Sequence, residues 1–298
     1  MTGGNPGAGG RRGTARLWAL VLAASFLAGL AAVGIALLVP EDEKRDEGAP
    51  SAFSPPPPAP AQPAPVPPGP QGAAPPRLFL VVDDLGYSPS ADAGWLDVPA
   101  RITMAVLPFG PSSRKIASSG KARGQAILIH VPMEPDSPSE DRTAGFRLRS
   151  GMGAGEMDTL FARMADNVPE AAGASNHMGS AFTRDPDAMG QFARLLKRRG
   201  LFFLDSLTTP RSVAADAARE AGVPSLRRDV FLDAGTDADE MRRQWRTATS
   251  LAREKGAAVV VCHARPETLR AVLSFLPELP GLGIQAATLA DHPALGKR

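Results

Sequence analysis

The sequence predicts an α/β fold, a parallel β/α barrel that is closed or nearly closed, running from Arg77 to the C-terminus. Three observations carry this expectation. Short apolar runs alternate with amphipathic stretches whose apolar residues recur at helical spacing. Strands separated by helices pair in parallel, because a parallel partner needs a long crossover. Polar residues able to handle metals or protons stand at the ends of the apolar runs, which a parallel barrel gathers at one rim. An open doubly wound sheet is the alternative architecture.

The chain has 298 residues, and the first 76 are unsuited to a packed core. Residues 1–16 form a short tail containing Arg11, Arg12 and Arg16. Leu17–Val39 is an uncharged stretch of 23 residues rich in Leu, Ala and Val. As a helix it would span roughly 35 Å, slightly more than the ~30 Å hydrocarbon core of a bilayer. Basic residues before it and Glu41, Asp42 and Glu43 after it predict a cytoplasmic N-terminus. The expectation is a single-pass inner-membrane anchor with the C-terminal bulk in the periplasm; a cleaved signal peptide is the alternative. Residues 40–76 read as an acidic and then Pro-rich disordered linker. Between Pro50 and Pro76, 13 of 27 residues are proline, which removes backbone donors and leaves a semi-rigid spacer.

Residues 77–298 form the folded domain. Its strand candidates are Leu78–Asp83, Ile102–Leu107, Ala126–His130, Gly173–Asn176, Leu201–Asp205, Val230–Leu232, Ala257–Cys262 and Gly283–Ala287. Met157, Leu160, Phe161, Met164 and Val168 share one helical face. Asp185 and Pro186 open a further helix that ends at Gly200, and another runs from about Asp237 to Lys255. The domain carries 28 basic and 26 acidic residues, a balance that argues against nucleic acid as a partner. Cys262, the only cysteine, ends the run Val259–Val261 and reads as a small buried hydrophobe.

The chemistry-bearing residues are placed systematically. Apolar runs end in Asp83-Asp84, His130, Asn176-His177, Asp205 and His263, which include three of the four histidines. Singly, each has a plain structural role available. An Asp can cap a turn, a His can sit hydrogen-bonded in a core, and Asp205 can brace a turn with Ser206 and Thr208. Together, an Asp and two His from separate strands suit a catalytic divalent metal, with zinc favoured by the imidazoles. One of Asp83 and Asp84 could then take a proton from attacking water. The glycines of Gly151–Gly155 follow no apolar strand, so they do not read as a phosphate loop.

In order, the segments Val81-Val82-Asp83-Asp84-Leu85-Gly86, His130-Val131-Pro132-Met133-Glu134-Pro135, Asn176-His177-Met178-Gly179-Ser180, Phe203-Leu204-Asp205-Ser206, Arg228-Asp229-Val230-Phe231-Leu232-Asp233 and His263-Ala264-Arg265-Pro266-Glu267 resemble the divergent polysaccharide deacetylase family. The resemblance implies a distorted β/α barrel of the polysaccharide deacetylase type and metal-dependent removal of acetyl groups from sugars. It implies Asp83 as the base, Asp84 as a metal ligand and His263 as the general acid. Typical deacetylases draw two ligands from a His-x-x-x-His pair. Here His130 is followed by Glu134, so His177 is the expected replacement and Glu134 the competing third ligand. Asn176 and Asp205 are expected to line the site, without the Arg-containing motif and Asp-Trp pairing of typical deacetylases. The implied partner is an acetylated envelope polysaccharide or peptidoglycan.

Overall fold

The computed structural model describes residues 74–137, 142–235 and 237–296. The expected anchor, and the tether up to residue 73, lie outside them. Among the described residues no helix is long and apolar enough to cross a membrane.

Among the described residues nine strands form one sheet: β1 (Arg77–Leu85), β2 (Thr103–Val106), β3 (Ala126–Met133), β4 (Gly173–Met178), β5 (Phe202–Asp205), β6 (Ser225–Arg227), β7 (Val230–Phe231), β8 (Ala257–His263) and β9 (Gln285–Ala287). Their order is β6-β5-β4-β3-β2-β1-β8-β7, and every pairing is parallel. β9 pairs with Arg77–Phe79 at the start of β1, and β2 takes over from Val81. Seven α-helices among the described residues provide crossovers and cover: α1 (Pro89–Leu96), α2 (Ser113–Ala122), α3 (Ala154–Asn167), α4 (Pro186–Arg198), α5 (Ala214–Glu220), α6 (Ala238–Lys255) and α7 (Pro266–Phe275).

The sheet is curled into a distorted half-barrel whose free edges come back together. β6 and β7 stand at opposite ends of the strand order, yet only Arg228 and Asp229 separate them in the chain. The Arg228 amide donates to the carbonyl of Asp205, the last residue of β5, and the Asp229 amide donates to the Val259 carbonyl on β8. One short passage of chain is thus bonded to both edges. Because β6 and β7 span only five residues together, this seam is thinner than a regular barrel wall.

Strand alternation divides the core into two layers. Leu78, Leu80, Val82, Ile127, Ile129 and Val260 face outward, where Trp95, Phe161, Phe192 and Trp245 from the helices bury against them. Phe79, Val81, Leu128, Leu204, Val259 and Val261 fill the inside of the curl. Continuing each inner row by two residues gives Asp83, His130 and His263. The polar site is therefore the upper layer of the inner core.

Local signals set the helix ends. The Asp185 carboxylate accepts from the Asp187 and Ala188 amides at the start of α4. Gly256, just beyond α6, adopts the left-handed conformation with φ 80° and lets the chain turn directly into β8.

Candidate functional site

Asp83 and Asp84 are adjacent, yet both reach the same cavity. Asp83 points inward by strand alternation and is buried. Asp84 would then point outward, but its φ is +67° and the β1–β2 register shifts between Val82 and Leu85. This bulge rotates the second carboxylate back towards the pocket. Gly86 completes the turn at φ 114°, with its carbonyl accepting from the Ser112 amide.

Asp84 Oδ1 lies 2.9 Å from His177 Nδ1 and 3.3 Å from His130 Nε2. One donor atom from each of Asp84, His130 and His177 falls within 4.8 Å of the other two. Zinc bonds of about 2.0–2.1 Å in a tetrahedral site put neighbouring donors roughly 3.4 Å apart, so these separations fit a single small divalent ion. The far nitrogen of His130, Nδ1, pairs with the buried Ser175 hydroxyl at 2.8 Å, which fixes the ring with Nε2 turned to the carboxylates.

Electrostatics sharpen these roles. Burial pushes the Asp84 pKa upward, but hydrogen bonds and charge interactions with His130 and His177 prevail and hold it well below the ordinary value. Burial drives His130 down to about 4 against the pull of Asp84, so its ring is neutral, the state a metal ligand needs. Asp83 is raised well above its ordinary value by burial and then by Asp84 and Asp233, with Ser206 and Arg228 acting the other way. Its Oδ2 accepts from Ser206 Oγ at 3.4 Å, while Oδ1 is buried without a hydrogen-bond partner.

His263 closes the other side, with Nε2 4.0 Å from Asp84 Oδ2. Asp233 holds it from below. One Asp233 oxygen lies 3.2 Å from His263 Nδ1, both oxygens accept from the His263 amide, and Thr268 Oγ1 donates to the carboxylate at 2.7 Å. Burial alone would raise Asp233, yet its bond and charge interaction with His263 lower it. Asp83, Asp84, His130, His177 and His263 line an open cavity of about 580 Å³ at the C-terminal ends of the strands.

The structure brings Asp83, Asp84, His130, Asn176, His177 and His263 together in this cavity, and leaves Glu134 and Asp205 out of it. Glu134 is not part of the donor cluster, because β3 stays extended through Met133. Four residues along a strand cover roughly 13 Å, so a ligand pair spaced this way needs a turn that is absent here. The Glu134 carboxylate instead accepts from the Ser150 amide. Asp205 faces away from the inner layer and braces its own loop, accepting from the Leu207 amide and Ser212 Oγ. Asn176 lines the cavity as a stitch, accepting from the Ser206 amide and donating to the Met178 carbonyl.

Asp233, Ser206 and Arg228 stand in the segments that carry the resemblance but were given no role at the site, and Ser175 was not singled out at all. Asp233 had a signal, since it ends the run Val230-Phe231-Leu232 much as Asp83 ends its own run. Ser175 has none, because a serine inside a strand looks like any small residue.

Comparison with known proteins agrees with this architecture. The family model for divergent polysaccharide deacetylases matches residues 80–292. A Haemophilus influenzae protein of uncharacterized function is 38% identical over 204 residues, covering 68% of this chain and 72% of its own. The Escherichia coli K12 protein YibQ is 35% identical over 221 residues, covering 73% and 68%. The crystal structure of ATU2773 from Agrobacterium tumefaciens C58 matches with a TM-score of 0.70 at 25% identity, covering 73% of this chain and 89% of that one. With the family model matching well over half its length, the chain belongs to the divergent polysaccharide deacetylase family.

Proposed function

We propose that this protein is a membrane-anchored, periplasm-facing, metal-dependent hydrolase that removes acetyl groups from an envelope polysaccharide or peptidoglycan. The single observation that carries the reading is the convergence of Asp84, His130 and His177 between Asp83 and the Asp233–His263 pair. Asp84, His130 and His177 are the residues that would hold the metal, with zinc favoured by two imidazoles and one carboxylate. A bound divalent ion would supply Lewis acidity, polarising the acetyl carbonyl and favouring ionisation of water.

The remaining chemistry belongs to the side chains. Water adds to the acetyl carbon, and Asp83 takes the proton that the water gives up. The raised basicity of buried Asp83 suits it to that task. His263 gives a proton to the departing sugar nitrogen or oxygen as its bond to the acetyl carbon breaks. Asp233 orients the His263 ring and offsets the positive charge the ring carries when protonated. The products are acetate and a free amine or hydroxyl on the sugar.

A second reading, a glycan- or protein-binding module without turnover, is favoured by one feature. The typical His-x-x-x-His pair is replaced, and Glu134 in its second place is engaged with the Ser150 amide. The full-length chain, purified in detergent and loaded with zinc, distinguishes the two. Acetate release from N-acetylated or O-acetylated envelope glycans, abolished by chelation and restored by zinc, is the expected result. Binding without release across the panel would favour the module.

A further inference from the structure

The cavity contains a cation that the proposed hydrolysis does not use. Four charged side chains line it besides the histidines: Asp83, Asp84, Arg228 and Arg265. Arg228 is occupied. Its Nε donates to the Ser206 carbonyl, one Nη donates to the Leu207 carbonyl, and the guanidinium lies over the Phe231 ring at 4.8 Å. Arg265 is different. Among the described residues its guanidinium has no hydrogen-bond acceptor and no carboxylate within ion-pair reach, although the side chain is half-buried. Its backbone is fixed, because its amide donates to the His263 carbonyl at 2.8 Å and the next residue, Pro266, starts α7. Arg265 also lines a second cavity of about 560 Å³ beyond Asp84, His177 and His263.

We propose that Arg265 is a specificity residue that selects an acetylated sugar bearing a carboxylate, holding that carboxylate while the acetyl group lies against Asp84 and His263. The inference rests on the deacetylase reading of the same site and adds the charge of its substrate. A half-buried guanidinium without an internal partner keeps five donors in a planar fork, the geometry that a carboxylate meets with two bonds. Charge favours the same ligand. The lining is balanced between two carboxylates and two guanidiniums, so a divalent cation at Asp84, His130 and His177 leaves it net positive. A carboxylate suits this setting better than a phosphate, since Asp83 and Asp84 would repel a dianion more strongly and only one guanidinium is uncommitted.

The zinc-loaded full-length chain tests this with four probes. These are N,N′-diacetylchitobiose, the disaccharide of N-acetylglucosamine and N-acetylmuramic acid, that disaccharide with its carboxylate reduced to an alcohol, and N,N′-diacetylchitobiose 6-phosphate. A charge-assisted bidentate contact is worth about 10- to 100-fold in discrimination. We expect kcat/KM for acetate release to favour the acid over its reduced form by that factor. Arg265→Gln should collapse the ratio, and Arg265→Lys should restore part of it. Equal rates on the acid and its reduced form, or a ratio unchanged in Arg265→Gln, would overturn the proposal. A stronger preference for the phosphate would overturn the choice of carboxylate. Calorimetric binding of the same probes separates this proposal from the catalytic one. Arg265-dependent binding of the acid without acetate release would retain the carboxylate site and discard the hydrolase. Release of acetate from neutral N,N′-diacetylchitobiose, with no gain from the carboxylate, would do the reverse.

Discussion

Asp83 and His130 sit in the same buried layer, and burial moves their protonation in ways that oppose each other as the metal-free chain is acidified. Unfolded His130 takes up a proton near pH 6.5, whereas the folded side chain does so only at about 4. Between those values the unfolded state binds more protons, so acidification destabilises the fold, by up to about 3 kcal/mol from this residue. Folded Asp83 holds its proton above the ordinary carboxyl range, so its contribution runs the other way and stability falls as pH rises. In urea melts of the chelator-treated chain, Asp83→Asn should therefore steepen the acid loss between pH 6.5 and 4, and His130→Asn should flatten it. The opposite ordering would show that burial does not set these charges. For the metal, His177→Ala should lose most zinc affinity with the fold retained, and Ser175→Ala should weaken it about 10- to 100-fold. Glu134→Gln should bind normally; loss there, with His177→Ala unaffected, would transfer the ligand role. Asp83→Asn and His263→Ala should each lower acetate release by about 10²–10⁴-fold while metal content stays near one per chain. Full activity in His263→Ala would make that ring structural. Which residues gather was legible in the sequence because inward positions at strand ends carry Asp83, His130 and His263. Which atoms meet was not, since the Asp84 bulge and the grip of Asp233 on His263 depend on backbone turns and a partner 30 residues away.

The site's precision comes from the elements around it, above all the turn after β1. Asp92 on α1 accepts from the Gly86 amide and Ser112 Oγ through one carboxylate oxygen, tying the turn to the start of α2. A Cβ on Gly86 would stand 2.6 Å from Ser113 Oγ and 2.9 Å from the Leu107 carbonyl, in a backbone conformation that L-residues rarely adopt. Gly86→Ala should therefore cost roughly 1–3 kcal/mol of stability, and because Asp84 lies two residues away, zinc affinity should fall as well. Thermal melts with and without zinc check both; an unchanged zinc-induced shift in Tm would mean that the turn does not position Asp84. The same elements show how far pattern reading reaches. All eight predicted strands form, and α3, α4 and α6 start and end near their caps, because each has strong periodicity or a capping residue. The elements without a prediction have weak sequence signals. α2 buries Ile116 beside Ala117, Gly120 and Ser113, and α5 buries only alanines. β6 offers one buried residue, Leu226, just after Pro224, so its strand character comes from pairing with β5.

For the molecule as a whole, the N-terminal sequence carries a proposal about where the deacetylase-like domain would work. The 23 uncharged residues Leu17–Val39 are long enough to span, while a signal-peptide core usually runs to about 7–15 residues. Arg11, Arg12 and Arg16 stand on one side, and three consecutive acidic residues on the other. If this stretch spans the inner membrane, the cost of moving basic residues across it would keep the first side in the cytoplasm. On that proposal the Pro-rich segment would hold the domain away from the bilayer. Fully extended as polyproline, Pro50–Pro76 would reach about 80 Å, enough to carry a catalytic cavity towards the cell wall instead of the lipid surface. This proposed arrangement would make an envelope glycan reachable. An alkaline phosphatase fusion after Arg298 should be active in intact cells and should sediment with the inner membrane. Release after alkaline carbonate washing would refute a spanning helix. A shortened soluble periplasmic form would show that Leu17–Val39 is cleaved, and an inactive fusion at normal abundance would place the domain in the cytoplasm and remove the envelope glycan as its substrate.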